Sequence, residues 1–72
     1  MEQAVYFMIG KKIRSIREEQ NLTQKELALQ LGVSQSSISN IEKGVYPVTL
    51  HILLQISTVL HTSVKVLLND VV

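Results

Sequence analysis

Isoleucine recurs at positions 9, 13 and 16, spaced by four and three with charged residues between, which is the interval of one buried helix face. The pattern predicts a first helix over about residues 9–20, and Asn21 suits the left-handed conformation that ends a helix. Thr23 can cap a second helix over 24–31, where Glu26, three positions on, completes a capping box and Leu27, Ala28 and Leu31 form the buried side. Gly32 breaks the pattern, Val33 is apolar, and Ser34 can cap a third helix over 35–43 that Gly44 stops. Ile38 and Ile41 are the only large apolar residues of that helix, so Gln35, Ser36, Ser39 and Asn40 are expected to point away from the core. Pro47 lies in the next connection, Thr49 caps a fourth helix over 50–60, and Thr62 or Ser63 starts a short fifth over 63–68. Residues 1–8 either extend the first helix or pack as an apolar arm. No strand-like alternation and no internal repeat occur, so the chain is expected to be one all-α domain of five helices over residues 1–72.

Composition narrows the function classes. A chain of 72 residues makes one domain and hides only about 60% of its unfolded surface on folding. With 46% hydrophobic and 18% charged residues it is a globular composition, far from that of disorder. The absence of cysteine excludes disulfides and thiolate metal sites and fits a reducing compartment. The longest apolar run, Ala4 to Ile9, is far short of the ~20 residues that cross a bilayer, and no signal-peptide pattern surrounds it. A cytoplasmic protein with no membrane partner is expected. His51 and His61 have no acidic or cysteine partner at ligand spacing, and the six carboxylates show no paired grouping. Neither a metal, a cofactor nor catalysis is therefore expected.

A net charge of +1 does not by itself announce a nucleic-acid binder, but the distribution is uneven. Lys11, Lys12, Arg14 and Arg17 cluster in the first third, whereas residues 44–72 carry only Lys65 and Asp70. The basic run reads most simply as a solvated helix face, with phosphate contact by Lys11 or Lys12 a lesser alternative.

The segment from Gln24 to Ile41 has the residues that a tight crossing of two helices needs. Ala28 is small where the helices touch, Gly32 tolerates positive φ in the turn, and Val33, Ile38 and Ile41 supply an inner face. On the pieces "LTQKELA", "LGVSQSSIS" and "IEKG" together, the sequence resembles the phage repressor and Cro-like, or XRE, family of helix-turn-helix regulators. The resemblance runs over about residues 9–68 and implies a five-helix repressor-like fold whose motif core is 24–43.

What the resemblance implies transfers residue by residue. The third helix would lie in the major groove of double-stranded DNA, with Gln35, Ser36, Ser39 and Asn40 matching base-contact positions. Gln35 leads that set, because a glutamine amide can donate to and accept from adenine together. Thr23, Gln24, Ser34 and Lys43 match phosphate contacts, which set register rather than sequence. Arg17 and Glu42 match a structural ion pair joining the first and third helices. Pro47 comes one position early relative to the common family form, His61 stands where glycine or asparagine is common, and Thr62 where valine is. These departures bear on the turn before the fifth helix.

In the C-terminal half, Leu53, Ile56, Leu60 and Leu67 fall at core positions. That leaves Ile52, Val59, Val64, Val66, Leu68, Val71 and Val72 as surplus apolar residues, and such a surplus marks an association patch. The expectation is a homodimeric transcriptional regulator reading an inverted-repeat operator, with dimerisation doubling the phosphate contacts that a low net charge limits. No residues are left for a ligand-binding domain, so no small-molecule ligand is expected. Family members of this size include restriction-modification controllers, Cro-like repressors and antitoxins, and the apolar N-terminal segment favours the controller type. The competing reading is a protein-interaction module, or an antitoxin-like domain, that uses the helix-turn-helix as scaffold.

Overall fold

The computed structural model describes residues 2–69 and 71. Five helices follow one another: α1 (Glu2–Glu19), α2 (Gln24–Leu31), α3 (Gln35–Lys43), α4 (Leu50–Val59) and α5 (Val64–Leu67). No strand occurs among the described residues.

Each of the last four helices starts at a side-chain cap. Thr23 Oγ1 accepts from the Glu26 N–H at 3.0 Å while the Glu26 carboxylate accepts from the Thr23 N–H at 2.8 Å, closing a reciprocal box. Ser34, Thr49 and Ser63 each accept from the N–H three residues on, at 3.1, 3.2 and 3.1 Å. The stops are equally local. Gly32 and Gly44 end α2 and α3 in the left-handed conformation, at φ 72° and 76°. Asn21 and His61 take the same region at φ 59° and 55°, so His61 fills the role that glycine or asparagine would otherwise have before α5.

At the N-terminus the extension of the first helix, one of the two readings of that segment, is the one that forms over residues 2–8. The first helix does not start near residue 9: it begins at Glu2, and residues 2–8 extend it rather than forming a separate arm. The physical reason is a close crossing with α3. A Cβ at Gly10 would run into the backbone carbonyl oxygens of Ile41 and Glu42, and one at Gly44 would meet the backbone of Phe7. Two bare Cα positions therefore let the first turns of α1 lie directly against the end of α3. The fourth and fifth helices are each shorter than expected, because Leu60, Ser63 and Leu68 serve as flanking caps.

Ile9 and Ile13 of α1, Leu27 and Ala28 of α2, Ile38 and Ile41 of α3, Leu53, Ile56 and Leu60 around α4, and Leu67 of α5 form one buried core. α3 packs against α1 and α2, while α4 spans α2 and α5. Gln20 adds a polar tie across that core, its side-chain amide donating to the Leu60 carbonyl at 2.6 Å.

The surplus apolar residues of the C-terminal half are only partly surplus. Ile52, Val59, Val64, Leu68 and Val71 are half-buried and pack on the core, and Val66 stays exposed. Val72 lies outside the described residues. The apolar surface left open also includes Leu50 and Leu54, one turn apart on α4, which the sequence reading had not singled out.

Candidate nucleic-acid interface

The short turn Gly32–Val33–Ser34 fixes how α3 leaves α2. The Gly32 N–H donates to the Ala28 and Leu29 carbonyls, and the Val33 N–H donates to Ala28 at 3.0 Å. Val33 then tucks against the core while Ser34 turns outward as the cap. With Ile38, Ile41 and Glu42 buried, the opposite face of α3 is left toward solvent.

Six polar side chains converge on one shallow open groove along that face: Gln24 from α2, with Gln35, Ser36, Ser39, Asn40 and Lys43 from α3. Gln35, Ser36 and Lys43 are exposed, whereas Gln24, Ser39 and Asn40 are half-buried. The groove is a row of uncharged donors and acceptors with one cation at its end. That combination suits base edges beside a phosphate better than it suits an apolar ligand. Thr23 and Ser34, placed by the sequence among the phosphate contacts, stand beside it, but their hydroxyls are engaged as helix caps. Any contact they make must share that oxygen or use the backbone.

Behind the groove sits a buried ion pair. Arg17 Nε donates to Glu42 Oε2 at 2.7 Å and Nη2 donates to Oε1 at 3.0 Å, a bidentate fork with the two side chains only 8% and 2% exposed. Arg17 also donates through Nη1 to the Leu22 carbonyl at 2.6 Å, so the guanidinium ties α1, the α1–α2 turn and α3 together. The hydrogen-bonded Glu42 carboxylate raises the Arg17 pKa above its ordinary value, against the opposing effect of burial.

Sequence reasoning missed one link. The Gln24 side-chain amide donates to Glu42 Oε1 at 3.0 Å. Gln24 thus belongs both to the outward groove and to the buried pair: one N–H is committed inward and the second is available to an oxygen outside. No spacing rule would have paired positions 18 apart on different helices.

Among the described residues, no group of three or more His, Asp or Glu side chains is placed to hold a metal ion, and no helix is long and apolar enough to cross a membrane. Both histidines are exposed.

Comparison with known proteins agrees with this geometry. A family model described as Helix-turn-helix matches residues 13–67. The HTH-type transcriptional regulator SinR of Bacillus licheniformis is 38% identical over 64 residues, covering 88% of this chain and 58% of that protein. The restriction-modification controller protein C.AhdI from Aeromonas hydrophila superposes with a TM-score of 0.84 at 28% identity, over 89% of this chain and 97% of that one. A crystal structure of SinR, the master regulator for biofilm formation, in complex with DNA superposes with a TM-score of 0.77 at 36% identity, over 83% of this chain and 97% of that one. The chain thus spans a little over half the length of the full SinR protein, 58%.

Proposed function

The chain belongs to the helix-turn-helix family matched over residues 13–67, and from that premise we propose that it is a DNA-binding transcriptional regulator whose α3 reads the major groove. The observation that carries the reading is the placement of Gln24, Gln35, Ser36, Ser39, Asn40 and Lys43 on one open face of a helix whose other side is locked into the core. Gln35, in the first turn of α3, is the principal base reader, with Ser36, Ser39 and Asn40 beside it. Lys43 and Gln24 hold phosphates on either side, Gln24 aided by the free backbone N–H groups at the start of α2. Arg17 and Glu42 hold the face in position and do not read bases.

The operator is an inverted repeat bound by a homodimer. Support for the dimer lies in exposed apolar residues of the last two helices, Leu50 and Leu54 one turn apart on α4 and Val66 on α5. A two-fold dimer would present two copies of α3 about one DNA turn apart.

Selection of bound fragments from a random DNA pool, followed by sequencing, tests both parts. An enriched palindrome with half-sites about 10 base pairs apart is expected. Enrichment of a single half-site would remove the dimer. An unenriched pool would remove sequence-specific binding and favour a scaffold that binds protein instead.

A further inference from the structure

Two glutamines share the polar groove, and their amides stand in different surroundings. Gln35 is exposed, and its side chain has no hydrogen-bond partner among the described residues. Gln24 is half-buried, and its amide donates to Glu42 Oε1 at 3.0 Å.

A glutamine amide can sit in either of two flips that exchange its nitrogen and oxygen, and its surroundings choose between them. At Gln24 the choice is forced. Glu42 Oε1 also accepts from Arg17 Nη2 at 3.0 Å, and Oε2 accepts from Arg17 Nε at 2.7 Å, so the carboxylate meets its neighbours as an acceptor through both oxygens. The reverse flip would set the Gln24 carbonyl oxygen against Oε1 with no proton between them, beside a side chain only 2% exposed. The Arg17 charge offsets that of Glu42, so the carboxylate orients the amide without turning an unpaired negative charge toward the groove.

Resting on the reading of α3 as the DNA-facing helix, we propose that Glu42 is a positioning residue that gives the two glutamines different partners. It fixes the Gln24 amide so that the remaining N–H serves a DNA phosphate, and it leaves base reading to Gln35. A phosphate oxygen only accepts, so one N–H held in place suits it. Reading adenine needs a donor and an acceptor turned together to the base edge. The Gln35 amide is free to rotate to that edge, whereas the Gln24 amide is already oriented from behind.

The first test reads the amides by NMR on the whole chain without DNA. The Gln24 side-chain amide should exchange with solvent about tenfold more slowly than that of Gln35, as a donor held by a charged acceptor does. Equal exchange at the two glutamines would overturn the lock. The second test is affinity for the selected operator and its single-base variants, with the helicity of each protein variant checked beforehand. Glu42→Gln should weaken every sequence by the same factor, about tenfold, with the discrimination due to Gln35 intact. In a Gln24→Met background the same change should have almost no further effect, because the amide it orients is gone. Equal losses in both backgrounds would mean that Glu42 acts through stability alone and would overturn its positioning role. Should Glu42→Gln fail to fold, Gln24→Met alone, which keeps the Arg17–Glu42 pair, must still weaken every sequence alike. A loss at one base position only would make Gln24 a reader and overturn the assignment. Slow Gln24 exchange in a wild type that binds no DNA would instead refute the major-groove reading, and with it the phosphate as partner.

Discussion

Arg17, Glu42 and Gln24 form a chain of hydrogen bonds that runs from the core to the polar groove along α3. Breaking a buried pair by removing one partner leaves a charge without compensation, at a cost of about 3–5 kcal/mol. Glu42→Ala should therefore lower the unfolding free energy, measured by urea denaturation, by about that amount. Gln24→Ala removes only one part-buried hydrogen bond to a charged acceptor, and a loss of about 1 kcal/mol is expected. At the start of α2, the Thr23 N–H and hydroxyl hold the Glu26 carboxyl below its ordinary pKa of 4.5. A carboxylate lowered in the folded state contributes stability above its unfolded pKa and loses it as pH falls through the folded value. Glu26→Gln should abolish that part of the acid limb: the difference in melting temperature between wild type and variant, present at neutral pH, should shrink below pH 4. Thr23→Ala should cost about 1 kcal/mol at neutral pH.

Between elements, the crossing of α1 over the end of α3 is the sharpest constraint. Helix propensity alone would make Gly10→Ala stabilising by about 1 kcal/mol. The Ile41 and Glu42 carbonyls leave no room for the added carbon, so the opposite sign is expected, a net loss of about 2 kcal/mol by denaturant titration. A stabilised Gly10→Ala protein would show that α1 does not lie against α3 as described. The same crossing shows what can and cannot be read from sequence. Thr23, Ser34, Thr49 and Ser63 cap helices through oxygens that act three residues away, and Gly32 and Gly44 stop them through their own φ, so these boundaries are local and legible. For the start of α1 the sequence leaves two alternatives, because residues 4–8 carry neither a breaker nor a cap, and the close approach of Phe7 to Gly44 involves a residue far along the chain. Gln20 to the Leu60 carbonyl and Gln24 to Glu42 escaped for the same reason: nothing local distinguishes a glutamine that reaches across the fold from one in solvent. The outward set on α3 was legible because two isoleucines three apart leave only one face to bury.

For the molecule as a whole, the proposed function predicts that DNA binding and self-association are linked. A chain with a net charge of +1 gains little from counterion release through a single copy. Sedimentation at micromolar concentration should show twice the chain mass, and Val66→Glu should shift the protein to single chains while leaving its helicity unchanged. Single chains for the wild type, with and without DNA, would refute the dimer. The central claim, that the outward face of α3 reads bases, is tested most directly by the affinity of Gln35→Ala for the selected operator and its single-base variants, beside Lys43→Ala. Gln35→Ala should lose discrimination at one base position, by about 1–3 kcal/mol, while Lys43→Ala weakens binding to all sequences alike. An equal loss on every sequence for Gln35→Ala would contradict its role as a reader.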